Sequence, residues 1–281
     1  MGVTVELPEL PPLPEQQGST YISLVAIMRR LLAPGGCPWD REQSFESLRK
    51  YVLEEACEVI DAVDSGDRAA IKDELGDLLL QVVFMGELAR EEGAFGPDDV
   101  VRAIVEKLVR RHPHVFGEVQ VSGSDEVLTN WEQIKLGEYG DRGVLAGLPR
   151  SFPALARAQR MSEKVSKVGF DWPDARGSRD KVAEELRELD EAVEQGSTEH
   201  VEHELGDVLF ALVNFARHQG IDAEQALRKT ADKFARRFGH VEARVKEQHG
   251  GFPRDEHGKS TRGLPLETLD GYWNEAKERG L

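Results

Sequence analysis

The sequence is short of several things, and each shortage removes a class of protein. Only two cysteines occur in 281 residues, Cys37 and Cys57. Their spacing suits neither a paired metal knuckle nor a disulfide framework, so a reducing, cytoplasmic setting is the natural expectation. Basic residues are outnumbered by acids, 36 to 52, for a formal net charge of -16. That balance argues against a general nucleic-acid binder, because neutralising a phosphate backbone needs a basic surface. A substrate carrying phosphates would need a cation as intermediary. The longest apolar runs, such as Leu78 to Met85, are interrupted and fall far short of the roughly 20 residues of a membrane span. No basic segment followed by an apolar core opens the chain, so neither export by such a signal nor membrane embedding is expected. GxxxxGK[ST] and GxGxxG are missing, which leaves a glycine-rich phosphate cradle unsupported.

What remains is helical. Residues 1–18 (MGVTVELPELPPLPEQQG) are rich in proline and glutamate with no period that could bury a face, and read as a mobile tail. Beyond them apolar residues recur at helical spacing over 19–32, 44–63, 68–91 and 97–111, and again over 178–194, 198–218 and 223–248. A short last helix is expected after Gly263. The fold class is therefore all-α, with an N-terminal unit at 19–135, a linker at 136–163 and a C-terminal unit at 164–281.

The two units repeat one another. Glu54, Glu55, Glu58, Glu74 and Asp77 match Glu184, Glu185, Glu188, Glu204 and Asp207, every pair 130 positions apart. Lys107 and Arg111 match Lys233 and Arg237, while Trp131 and Lys135 match Trp273 and Lys277. Acids, bases and aromatic recur in one order, so duplication is the simplest explanation.

The repeated acids suggest chemistry. On a helix Glu184, Glu185 and Glu188 project from one side, and Glu204 and Asp207 do so on the next helix. A short turn between the two can bring the rows face to face, where they would repel strongly without a cation. All-oxygen ligands select a hard ion, Mg²⁺ or Mn²⁺, of the kind used on phosphate esters and anhydrides. Lys233 and Arg237 could grip a phosphate chain or form an ordinary surface pair. Trp273 with Lys277 offers an aromatic face for a base, or simple packing. Lys181 could reach the acids or be salt-bridged to them. Gly76 and Gly206, inside the ligand helices, fit a close approach of helix or ligand and bland packing equally well. His112 and His114 flank a proline, which spoils a helical metal pair and suggests a helix end.

At EExxE followed by ExxD the chain resembles MazG-type nucleoside triphosphate pyrophosphohydrolases, of the all-α pyrophosphatase superfamily. GGCPWDREQ at 35–43, LEEACEV at 53–59, DELGDLL at 73–79, KVGFDW at 167–172 and ELGDVLFALVNFARH at 204–218 carry the resemblance. It implies hydrolysis between the α and β phosphates of a nucleoside triphosphate with Mg²⁺, giving monophosphate and pyrophosphate. It also implies a homodimer whose helices complete each site, with activity mainly in the C-terminal unit. Glu185, Glu188, Glu204 and Asp207 would hold metal, as would Glu55, Glu58, Glu74 and Asp77 in the first copy. Lys181, Glu184, Lys233, Arg237, Trp273 and Lys277 would line the nucleotide pocket, with Glu184 or a neighbouring carboxylate taking a proton from water. His200 and His203 depart from the family, which often has a lysine and a further acid there. A di-iron carboxylate bundle is disfavoured, since none of the eight histidines follows an acid by three residues. A non-catalytic acidic interaction module is the remaining alternative.

Overall fold

The computed structural model describes residues 19–139, 143–253 and 263–281, without the side chains of 132, 135, 136 and 139. The expected tail at 1–18 lies outside the described residues. The chain divides into two compact units, Met1–Lys135 and Leu136–Leu281. Among the described residues every regular element is a helix.

The first unit holds α1 (Tyr21–Leu32), a short α2 (Pro38–Arg41), α3 (Phe45–Ser65), α4 (Arg68–Glu91), α5 (Pro97–Arg111) and a short α6 (Pro113–Phe116). α7 (Ser124–Tyr139) crosses the division. The second unit holds α8 (Ala154–Ser166), α9 (Ala175–Gln195), α10 (Thr198–His218), α11 (Ala223–His249) and α12 (Leu266–Glu278).

Both units are organised around one antiparallel hairpin, α3–α4 and α9–α10, and the joint is built alike in each. Gly66 ends α3 at φ +75°, and Asp67 then caps α4 by accepting from the Ala69 amide at 2.8 Å. Gly196 ends α9 at φ +72°, and Ser197 caps α10 through the His200 amide at 3.3 Å. A left-handed glycine followed at once by a capping side chain stops one helix and starts the next, so the chain folds straight back.

α1 packs on α4 in the first unit, and α8 packs on α10 in the second. The first core joins Val25, Met28 and Leu32 of α1 with Leu48 of α3 and Val83, Phe84 and Leu88 of α4. Gly86 lets α5 approach, since a Cβ there would stand 2.9 Å from the Pro97 ring. The second core is leaner, with Val182, Val208, Val213, Val241 and Val245 buried.

The linker expected at 136–163 is corrected by α8, most of which falls inside it. Leu155, Ala158, Met161, Ser162 and Val165 share a face of α8, but the helix is short and opens after Pro153 with no capping side chain, so no local start signal marks it in the sequence. Gln159 accepts from the Ala223 amide at 2.9 Å and Glu224 from the Ala156 amide at 3.2 Å, tying α8 to the start of α11. The helix answers α1 of the first unit.

Candidate active site

Register along each hairpin decides which acids meet. Glu188 lies eight residues before Gly196 and Glu204 eight after it; Glu58 and Glu74 stand in the same relation to Gly66. Residues equidistant from the joint of an antiparallel pair come side by side. Glu185, Glu188 and Glu204 accordingly place carboxylate oxygens within 4.8 Å of one another, and Glu55, Glu58 and Glu74 do the same in the first unit. His203, Glu204 and Asp207 form an adjoining group, with His203 Nδ1 at 2.9 Å from Asp207 Oδ2.

Crowding shows in the acidities. Loss of hydration and then the Glu185 charge hold Glu188 above the ordinary carboxylate value, with Lys181 offsetting part of this. Glu55 is raised by loss of hydration, Asp77 and Glu58, and Glu74 by loss of hydration, Glu58 and Asp77. Carboxylates whose charged forms are penalised this way suit a hard divalent ion, which would relieve the repulsion.

Lys181 reaches the cluster from one turn away. Its Nζ lies 2.5 Å from Glu185 Oε1 and 2.9 Å from Glu184 Oε1, and both contacts hold it protonated well above the ordinary lysine range. The residue 130 positions earlier is Tyr51, so the first unit lacks this cation. There the buried Gln81 amide approaches Glu55 instead, at 3.5 Å, from the facing helix.

Lys233, Arg237, Trp273 and Lys277 lie on α11 and α12. Arg237 stacks 5.8 Å from the Trp273 ring and donates to the main-chain oxygen of Leu281 at 2.7 Å, while Lys277 donates to Asn274 at 3.2 Å. Lys233 is exposed. The arginine–tryptophan stack recurs in the first unit, Arg111 over Trp131 at 5.4 Å, as the duplication requires. The described contacts of these four residues run among α11, α12 and the C-terminal end, not to the acids.

Gly76 and Gly206 are settled against close packing within each unit, because a Cβ on either would meet nothing within 4 Å. His112 ends α5, its Nδ1 2.7 Å from the Leu108 carbonyl oxygen, which fits the helix-end reading.

A cavity of about 490 Å³ opens beside α10, lined by Phe170, Trp172, Phe210, Asn214 and Arg217 among others. KVGFDW contributes two of these residues, yet nothing in its spacing connects it to α10. The connection is ionic and distant in sequence: Asp171 Oδ1 lies 2.5 Å from Arg217 Nη2 and 2.9 Å from His218 Nε2.

Comparison with known proteins agrees with this geometry. The MazG nucleotide pyrophosphohydrolase domain matches twice, over 43–116 and 177–242, each match spanning one acid-bearing hairpin. The chain belongs to the MazG nucleotide pyrophosphohydrolase family. A Thermotoga maritima protein described as nucleoside triphosphate pyrophosphohydrolase/pyrophosphatase MazG is 43% identical over 265 residues, covering 94% of this chain and 98% of that one. An Escherichia coli K12 nucleoside triphosphate pyrophosphohydrolase is 44% identical over 264 residues, covering 92% and 97%. A Mycobacterium tuberculosis protein of the same description shares 38% over 157 residues, 55% of this chain and 47% of that one. MazG domains form a hydrolase family, which places this chain among enzymes rather than non-catalytic helical modules.

Proposed function

We propose that this MazG-family chain hydrolyses nucleoside triphosphates, ribo and deoxy, to monophosphate and pyrophosphate, chiefly in its C-terminal unit, as part of nucleotide-pool house-cleaning. The observation that carries this reading is the cluster of Glu185, Glu188 and Glu204 across the α9–α10 hairpin, with Asp207 one turn beyond. Relatives matched along nearly their whole length bear the corresponding description.

In this reading Glu185, Glu188, Glu204 and Asp207 hold Mg²⁺ or Mn²⁺. A hard divalent ion supplies Lewis-acid polarisation of phosphate oxygens and neutralises their charge. Glu184, which pairs with Lys181, would take a proton from the attacking water. Lys181 carries a positive charge to the same spot, where it can meet an α-phosphate once released from Glu185. Lys233, Arg237 and Lys277 would offset charge on the departing pyrophosphate.

For those last residues to serve, a homodimer is part of the proposal. Val63, Leu75, Leu79 and Val82 are exposed in the first hairpin, and their counterparts Val193, Leu205, Leu209 and Leu212 are exposed in the second. An apolar strip kept at equivalent positions in both copies is a surface meant to be covered, and a second copy of the chain supplies a matching one. No helix among the described residues is long and apolar enough to cross a membrane. The free thiols Cys37 and Cys57 suit a cytoplasmic setting.

The test is direct. Incubation with Mg²⁺ and a panel of nucleoside triphosphates should release pyrophosphate, and chelation of the metal should stop it. Glu188→Ala should abolish release while Glu58→Ala largely spares it. Wild-type protein giving no more product than a Glu185→Ala control would refute the reading.

A further inference from the structure

The cavity beside α10 has no part in the chemistry described so far, and its position relates it to that chemistry. Phe210 stands three residues beyond Asp207 and Asn214 seven beyond. At about 1.5 Å per residue these are roughly 4.5 and 10 Å further along the helix, and within about 60° of Asp207 around it. The chamber therefore begins about one turn from the acid cluster, on the Asp207 side of α10. A ligand with its phosphates at the acids would have its other end there.

We propose that this cavity is the nucleobase pocket of the C-terminal unit, an assignment that rests on the reading of the acids as a nucleotide phosphate site. Its volume falls in the usual range for small-molecule sites, roughly 300–1,000 Å³. Phe170, Trp172 and Phe210 provide aromatic walls, the surface that stacks on a flat heterocycle. The wall is held in place. A Cβ at Gly177 would fall 2.2 Å from the Trp172 ring, so the indole rests directly on that glycine. The bonds from Asp171 to Arg217 and His218 pin the aromatic loop to α10.

Polarity selects the same ligand. Asn214 is buried, 7% exposed, and its Oδ1 accepts from Arg217 Nε at 2.9 Å. That bond orients the amide and leaves its two N–H groups as what Asn214 can offer the cavity. They match a carbonyl oxygen or ring nitrogen on a base edge. Arg217 is already engaged by Asp171, so the chamber is poorly suited to a phosphate. Trp273, the aromatic face expected from the sequence, has Phe234 5.0 Å from its ring centre.

The first unit provides an internal contrast. At the positions of Phe210, Asn214 and Arg217 it has Leu80, Phe84 and Glu87. Phe84 is 3% exposed within the apolar core, and Glu87 is 1% exposed and paired with Arg90. The acids are kept in that copy, but the side chains that line the chamber are replaced by core.

Binding of AMP, UMP and inorganic pyrophosphate by calorimetry tests this, alongside steady-state kinetics on the triphosphates. Phe210→Ala removes one wall, and Gly177→Ala displaces the indole without removing an aromatic ring. Each should weaken monophosphate binding and raise KM about tenfold, with kcat changed far less and pyrophosphate binding intact. Asn214→Leu should change the ranking among bases. Wild-type monophosphate affinity in folded Phe210→Ala and Gly177→Ala proteins, with loss in Trp273→Ala, would overturn the assignment. If no triphosphate is hydrolysed by the wild type, the enzymatic reading fails, while monophosphate binding still decides the pocket.

Discussion

Lys181 is bound to Glu185, one of the carboxylates proposed to hold metal, and this competition predicts an unusual pair of effects for Lys181→Met. In the metal-free protein the ammonium neutralises Glu185, a side chain only 7% exposed, from 2.5 Å. A divalent ion that takes Glu185 Oε1 displaces that contact. The ion pair has one buried partner and one that is 36% exposed, so after allowance for solvent its net worth is about 1–2 kcal/mol. Without the lysine the ion no longer has to displace it, and binding should tighten by roughly 5- to 30-fold. The metal-free variant should be less stable than wild type, because Glu185, Glu188 and Glu204 then repel without relief, and added Mn²⁺ should restore its Tm. Activity should move the opposite way, falling by at least tenfold if the released ammonium serves the phosphate. Mn²⁺ titration calorimetry, melting with and without Mn²⁺, and pyrophosphate release measure the three effects. Unchanged or weaker Mn²⁺ binding would refute the competition, and tighter binding with undiminished turnover would remove Lys181 from the substrate.

Other substitutions read other parts of the fold. Gly206→Ala, inside α10 with nothing within 4 Å of the new methyl, should stabilise the C-terminal unit by about 1 kcal/mol, seen in urea denaturation. A weaker self-association constant in the same variant would show that a second copy crosses there. Arg90→Met strips the main partner from Glu87 and should cost about 2–3 kcal/mol, somewhat under the usual penalty for an orphaned buried charge. Arg29, 3.6 Å from Glu87, remains to share it. For Asp171 the sign follows from its partners: Arg217 holds its carboxyl below the ordinary 3.8, against the opposing effect of burial. Its stabilisation is thus complete above the unfolded value and lost as pH falls through the folded one. Wild type should exceed Asp171→Asn in stability at neutral pH, and the gap should narrow below about pH 4, followed by chemical denaturation across pH.

How far the sequence could be read depended on the distance over which information travels. The hairpins and their acids were legible because helix spacing, a glycine stop and an adjacent cap are all local, and the constant 130-residue offset checked each copy against the other. α8 was not, since it is short and opens after Pro153 with no capping side chain, so no local start signal marks it. The ring of Lys233, Arg237, Trp273 and Lys277 could be named from order alone, and the recurring arginine–tryptophan stack in both units supports the pairing of Arg111 with Arg237. Its place relative to the acids was beyond reach, because no local rule links α12 to α9. The bonds from Asp171 to Arg217 and His218 span more than forty residues, and only folding reveals that KVGFDW closes on α10.

Duplication left two copies of the acids, and the differences around them decide what each can do. In the proposed reading the carboxylate cluster would hold a metal in either copy, since both keep the acids together. Turnover asks for two more things: a cation free to follow the phosphate, and room for the rest of the substrate. The second unit has Lys181 against Glu185, and Phe210 with Asn214 open to a cavity. The first has Tyr51 and Gln81 where Lys181 and Ala211 stand in the second, and Phe84 inside its core. Gln81 can satisfy Glu55 as a hydrogen-bond donor but brings no charge. It follows that Tyr51→Lys alone should not awaken the first copy, because the core built from Leu80 and Phe84 still fills the place of a base. If that single substitution did confer hydrolysis on a Glu188→Ala background, charge at the acids would be the whole difference, and the cavity would have to be given another use.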